Sequence, residues 1–173
     1  MLDWRVRQAD AADAALLSLV ANAAFLDTYA PSLDGGDLLA HCLKNNAVEV
    51  FTRWLADADS VVTVAELAPG YAPVGYAVLT APDFPIDRLP GDIELRRIYT
   101  LRQVYGSGVG GALMERALAD ARACDGKRLL LGVWEHNVRA RTFYERQGFS
   151  VIGSREFVVG GEVHVDPVYA LEL

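Results

Sequence analysis

The sequence predicts one mixed α/β domain, and three features carry that expectation. Residues 93–148 read as an apolar strand, a glycine-rich loop, a helix, a second apolar strand and a second helix. On either side, residues 60–79 and 149–171 read as strand pairs joined by turn residues, hence as antiparallel hairpins. The chain has 173 residues, 52% of them hydrophobic, which is enough for one sizeable core and too apolar for disorder.

Taken in order, Trp4-Arg5-Val6-Arg7 alternates and suggests a first strand, after which Asp10 or Asp13 can cap a helix running to about Tyr29. Pro31 and Gly35-Gly36 end that helix. A second helical region, 37–58, carries Leu38, Leu39, Leu43, Val50, Phe51, Trp54 and Leu55 in a partly amphipathic stripe expected to pack in the core. Residues 60–67 are β-branched and apolar, Pro69-Gly70 turns the chain, and 74–79 returns as the partner strand. Three prolines in 82–91 mark a surface loop. Strand 93–100 then leads to Gly106-Ser107-Gly108-Val109-Gly110-Gly111, and the following helix sets Val109, Leu113, Ala117 and Ala121 on one apolar face. Strand 128–133, a helix opening at Asn137, and a closing hairpin of 149–159 and 162–171 turned at Gly160-Gly161 complete the chain. The sum is about seven strands and about four helices in a single domain, 1–173, with no repeat, linker or low-complexity tract.

Composition excludes several classes of function. The formal charge of −7 argues against nucleic acid, whose phosphates call for a basic patch, and suits a cationic substrate better. No apolar run approaches the length needed to cross a bilayer, and Met1-Leu2-Asp3-Trp4-Arg5 lacks the layout of a secretion signal, so a cytoplasmic protein is expected. Cys42 and Cys124 have neither the mutual spacing nor the histidine neighbours of a metal site and are expected to be buried reduced thiols.

Glycines two apart directly before a helix have a known physical use. Without Cβ atoms the backbone takes positive φ and approaches a ligand closely, while the unpaired N–H groups of the first helical turn point outward as anion donors. The loop therefore reads as a phosphate cradle. Gly106, Gly108 and Gly111 also match G-x-G-x-x-G, and Glu135 lies near where a dinucleotide fold places its ribose-binding acid. Such a fold needs further strand-helix units, whereas one helix and a hairpin remain after Glu135. A nucleotide-triphosphate loop fails because no Lys-Ser or Lys-Thr pair follows the glycines.

The second block narrows the ligand. Asn137-Val138-Arg139-Ala140-Arg141-Thr142-Phe143-Tyr144-Glu145-Arg146-Gln147-Gly148-Phe149, after the strand Leu129-Leu130-Leu131-Gly132-Val133, resembles the N-x-R-A-x-x-F-Y-x-x-x-G-F signature of the GNAT N-acetyltransferases. The glycine loop resembles the same family's Q/R-x-x-G-x-G/A motif, with Gly108 and Gly110 at its fixed glycines. Two blocks in the right order about thirty residues apart are far more specific than either alone. Glu94-Leu95-Arg96-Arg97-Ile98-Tyr99 and Gly132-Val133-Trp134-Glu135-His136-Asn137 further look like bacterial polyamine acetyltransferases of the spermine/spermidine type. The chain departs from the motif at Tyr105, where Gln or Arg is usual, and at Ser107, often basic; Arg102, Arg139 and Arg141 are then the nearest candidates to neutralise phosphates.

The resemblance implies a single GNAT-like domain that transfers acetyl from acetyl-CoA, a co-substrate, directly to a primary amine of a small molecule or protein, without a metal. A homodimer is compatible with it. It implies that Tyr105, Gly106, Ser107, Gly108, Val109, Gly110, Gly111 and Arg139 surround the coenzyme's phosphates. Ile98 and Tyr99 would offer backbone groups, and Asn137 a side chain, to its pantetheine arm. It implies Tyr144 as the acid that reprotonates the thiolate, also in contact with the coenzyme, and Glu94 as the base. From the residues themselves, Ala140, Phe143 and Tyr144 share one face of a helix capped by Asn137, which turns Tyr144 inward. Glu94 could instead pair with Arg96 along the same strand face, and Glu135 and His136 are alternative bases at the next strand's mouth. His41 and His164 read as structural or solvated. A second class of function, a non-catalytic acyl-CoA-binding sensor or structural module, would not need Tyr144.

Overall fold

The computed structural model describes residues 2–159 and 162–173. Among them, seven strands form one sheet: β1 (Trp4–Gln8), β2 (Val61–Leu67), β3 (Ala72–Thr80), β4 (Asp92–Thr100), β5 (Arg128–Gly132), β6 (Ser150–Val159) and β7 (Glu162–Glu172). The helices are α1 (Ala14–Tyr29), α2 (Gly35–Asn45), α3 (Val48–Ala56), α4 (Val109–Ala123) and α5 (Val138–Arg146). The order across the sheet is β1-β2-β3-β4-β5-β7-β6, antiparallel except where β4 runs parallel to β5. That single parallel pair follows from the α4 crossover, since parallel neighbours need a long connection. The expected turn at Gly160-Gly161 lies outside the described residues.

Two layers of helix cover the sheet. On one face α4 buries Val109, Leu113, Ala117 and Ala121, the four-residue repeat of the sequence, against Val74, Ala77 and Leu95. On the other, Leu17, Val20 and Ala21 of α1 and Phe51 of α3 close over Val62, Val64, Tyr76 and Val78. Asp10 caps the turn before α1 by accepting from the Ala12 N–H at 2.8 Å, and Asp13 answers by accepting from the Asp10 N–H at 2.9 Å, a reciprocal capping box. By length and composition alone 11–29 could span a bilayer, contrary to expectation; in this fold α1 is a core helix with its inner face on the sheet.

The expected second helix is two. Asn46 breaks it: the residue is 2% exposed, its side-chain oxygen accepts from the Arg97 guanidinium at 2.8 Å, and its carbonyl accepts from the Ser18 hydroxyl at 2.6 Å. α2 and α3 therefore present separate faces, which buries Leu38 and Phe51 but leaves Leu39 and Leu43 exposed where a continuous stripe would have packed them. Cys124 is exposed rather than buried because it is the C-cap of α4, past the last inward turn, while Cys42 is half-buried.

Candidate active site

β4 and β5 part company early. They pair only through Asp92↔Arg128, Ile93↔Leu129 and Glu94↔Leu130. The closed end of this wedge is clamped by the Arg128 guanidinium, which donates to both oxygens of the Asp92 carboxylate at 2.8 Å and holds that acid below its usual range. Beyond Leu95 the β4 edge that faces β5 has no strand partner, and a cavity of about 1070 Å³ opens between the strand ends. It takes in Ile98, Tyr99, Val133, Trp134 and the start of the glycine loop. Ile98 and Tyr99 lie at this divergence and line the cavity.

A bulge decides which side chains of β4 face what. Arg97 pairs with Val78 and Leu95 with Leu79, so Arg96 is the extra residue. Leu95 and Ile98 consequently pack on the α4 side, while Arg97 and Tyr99 turn to the α1 and α3 side. Period-two alternation alone would have put Leu95 and Ile98 on opposite faces.

The glycine loop enters α4 with Gly106 at φ +77° and Gly108, the N-cap, at φ +94°, a left-handed region that L side chains avoid. Helical bonding begins where the Ala112 N–H donates to the Gly108 carbonyl at 3.0 Å, so the N–H groups of 108–111 precede the ladder. A Cβ built on Gly106, Gly110 or Gly111 would meet nothing within 4 Å. All three border the cavity, so the space a phosphate group would need is open in front of the amides, and these residues fit the group the sequence predicts. The Ser107 hydroxyl and N–H both donate to the Val104 carbonyl, at 2.6 and 3.2 Å, and so turn into the loop, whereas Val109, whose side chain is fully buried, keeps its N–H among those that precede the ladder. Tyr105, the departure from the motif, carries the Arg139 guanidinium 3.2 Å above its ring centre and thus steadies a cation at the rim.

Asn137 caps α5, accepting from the Ala140 N–H at 3.1 Å, and it also borders the cavity. Two turns on, Tyr144 is buried among Phe143, Phe149 and Tyr169, and it too lines the cavity. Burial first, and the neighbouring Tyr99 second, push its phenol well above the ordinary value, which keeps the proton on the oxygen. Arg141 points elsewhere, donating to the Tyr169 hydroxyl and the Glu135 carbonyl, so of the three basic candidates Arg102 and Arg139 reach the cavity.

The predicted base does not reach it. Glu94 is 2% exposed and its Oε2 accepts from the Asp83 N–H at 2.8 Å and from Arg96 at 2.9 Å, the pairing weighed as its alternative. Burial raises its pKa against the pull of Arg96, but the carboxylate is outside the cavity lining. Glu135 and His136 also lie outside, facing each other at 3.7 Å in the loop after β5.

Sequence reasoning missed part of the cavity lining. Tyr29, from the end of α1, sets its hydroxyl 3.4 Å from that of Tyr99 and its ring 5.6 Å from Trp134. The Phe25 ring stacks on His41 at 3.8 Å, and burial followed by the Arg97 charge lowers the His41 pKa to about 4. Asp166 of β7, 2% exposed, completes the lining and accepts from the Glu135 N–H at 3.1 Å. In the sequence Asp166 takes a polar position after Val165, as His164 does after Val163, so the residue pattern carried no signal for it.

The acetyltransferase (GNAT) family model matches residues 31–149, and the chain belongs to that family. It is 40% identical over 100 residues to an uncharacterised N-acetyltransferase of Mycobacterium tuberculosis, a match covering 58% of this chain and 60% of that one. It is 30% identical over 88 residues to the spermine/spermidine N(1)-acetyltransferase of Bacillus subtilis, covering 49% and 57% respectively. The PaiA N-acetyltransferase of Thermoplasma acidophilum, solved in complex with coenzyme A, superposes with a TM-score of 0.81 over 99% of each chain at 17% identity, which shows a shared fold.

Proposed function

We propose that the protein is an acetyl-CoA-dependent N-acetyltransferase acting on a primary amine, polyamine-like or on a protein, in the cytoplasm. The observation that supports this best is the wedge between β4 and β5. It joins a helix start with free amides, a buried phenol and an aromatic wall in one cavity. Acetyl-CoA, when bound, supplies an acetyl thioester. The amides at 108–111 hold its pyrophosphate with Arg139 alongside, and the free β4 edge at Ile98 and Tyr99 holds the pantetheine with Asn137. The amine nitrogen forms the new C–N bond as the C–S bond breaks. Tyr144 passes its proton to the departing sulfur and regains one from the new amide nitrogen. The named activity of the Bacillus relative and the acidic balance of the chain favour a cationic amine.

Two measurements test the reading. Acetyl-CoA should raise the melting temperature by binding the folded state, whereas NAD at equal concentration should not. A panel of primary amines with acetyl-CoA should release free thiol for at least one member. Stabilisation by acetyl-CoA with no thiol release from any amine would favour the binding module instead, and stabilisation by NAD alone would refute the family's chemistry here.

A further inference from the structure

The glycine loop departs from its motif at Tyr105 and Ser107, and neither brings a cation of its own to the phosphates. What the loop has instead is a set of bonds that fix its backbone. Ser107 is held on one side by its own N–H and hydroxyl, both donated to the Val104 carbonyl. On the other side the indole N–H of Trp4, 103 positions away on β1, donates to the Ser107 carbonyl at 3.2 Å. Strand alternation brings the ring there: Trp4 and Val6 pack on the α4 side, whereas Arg5 and Arg7, the intervening residues, reach Glu66.

The Ser107 carbonyl is the one a longer helix would use. Four residues on, the Gly111 N–H would donate to it, adding a rung ahead of the Ala112 to Gly108 bond and withdrawing one amide from the cavity. Trp4 takes that carbonyl instead. Because a trans peptide sets its C=O and N–H on opposite sides, a Ser107 carbonyl turned toward Trp4 also turns the Gly108 N–H away from it. Gly108 borders the cavity and enters α4 at φ +94°. The Trp4 ring lies against the same residue, since a Cβ on Gly108 would meet its Cζ2 at 3.4 Å.

We infer that Trp4 is a positioning residue for the coenzyme: its indole bond to the Ser107 carbonyl keeps the Gly108 and Gly111 amides open to the pyrophosphate. The inference rests on the coenzyme half of the acetyltransferase reading above. A loop fixed before binding loses less freedom when the phosphates arrive. Without the indole bond the loop also populates the arrangement in which Gly111 donates to Ser107, and the apparent affinity falls with the fraction of molecules still open.

The test compares the wild type with Trp4→Phe, which keeps an aromatic ring on β1 and deletes the N–H. Calorimetry with coenzyme A, and with dephospho-coenzyme A, which retains the pyrophosphate, should show affinity lowered about five-fold for both, the worth of one neutral hydrogen bond. In the thiol-release assay the acetyl-CoA KM should rise while kcat and the acceptor KM hold, a split that a general loosening of the fold would not give. Equal coenzyme affinity in the two proteins, or a deficit that vanishes with dephospho-coenzyme A, overturns the assignment. Should the variant fail to fold, the wild type gives its own reading. Coupling is reciprocal, so coenzyme A must strengthen the indole bond by the factor that the bond strengthens the coenzyme. Solvent exchange of the Trp4 indole proton, followed by NMR, should therefore slow about five-fold at saturating coenzyme A. The indole of Trp54, on the α1 and α3 side of the sheet, is the reference that should not change. An unchanged Trp4 rate, or equal slowing of both indoles, overturns the proposal. Coenzyme A binding without thiol release from any amine would refute the transferase reading while the calorimetry still decides the role of Trp4, and no coenzyme binding to the wild type overturns both.

Discussion

The two sides of the cavity are built from different materials. The proposed coenzyme side is mostly backbone: amides freed by a helix start, an unpaired strand edge, and one stacked pair, Arg139 on Tyr105. The proposed acceptor side is all side chain: Tyr29, His41, Tyr99, Trp134 and Asp166, drawn from five elements or loops. A backbone site tolerates many side chains but few changes of glycine, whereas a side-chain site can be rewritten residue by residue without disturbing the fold. One scaffold can thus keep a single coenzyme and exchange acceptors.

That contrast is most sharply broken at Gly110. Gly110→Val adds a side chain to open space in front of the amides, at a helical position where Val is no worse than Gly in propensity. Losing two charge-assisted bonds to phosphate should cost about 3 kcal/mol or more, at least ~10²-fold in acetyl-CoA affinity, with the melting temperature of the unliganded protein unchanged. Gly108→Val is a poorer probe, since its φ of +94° makes any side chain there strain the fold as well. Calorimetry showing wild-type affinity for Gly110→Val would move the phosphates elsewhere.

Tyr144→Phe lies on the boundary between the two sides. Turnover should fall by roughly 10²-fold, the low end of general acid catalysis, with acetyl-CoA affinity nearly unchanged. Weaker affinity at unchanged turnover would make Tyr144 a ground-state contact.

On the acceptor side, Trp134→Leu should raise the acceptor KM by up to about tenfold, the range of one desolvated cation–π contact, and leave acetyl-CoA binding alone. An equal loss in both would show that the two sides are not separable. Tyr105→Leu should do the reverse at smaller scale. Freeing Arg139 from its ring costs about 0.5–1 kcal/mol, a few-fold in acetyl-CoA affinity and nothing in acceptor KM.

The smallest effect concerns His41 and stability rather than rate. Its folded pKa is lowered to about 4 by burial and Arg97, below the unfolded value near 6.5, so the unfolded chain binds the proton more readily. Its contribution to stability is present above pH 6.5 and is lost as the pH falls from there toward 4. Denaturation at pH 7 and pH 5 should show that decline in the wild type and less of it in His41→Gln. The acids held low by arginines, Asp13, Glu66 and Asp92, act in a separate window below about pH 4.

What could be read in advance follows the same division. The strand order along the chain, the α4 stripe, the Asn137 cap and the inward Tyr144 are short-range consequences of spacing, because a helix or hairpin is specified by residues within a few positions of one another. Asn46 escaped because a buried residue that breaks a helix is pinned by Arg97 and Ser18, 51 and 28 positions away. For Glu94 the strand pattern showed the pairing with Arg96, but not the Asp83 N–H, which a loop 11 positions away brings to the same carboxylate.

The sequence by itself determined where the open helix start forms: glycine spacing sets φ, and the orphaned amides of a helix start need no distant partner. It also determined the family, through two local blocks. Only the tertiary structure decided the rest of the cavity, since Tyr29, Tyr99, Trp134 and Asp166 line it together solely because β4 and β5 diverge and β7 returns beside β5. Local spacing cannot encode that meeting. The free energy that fixes it is the burial of the two helical layers on the sheet, a sum over the whole chain.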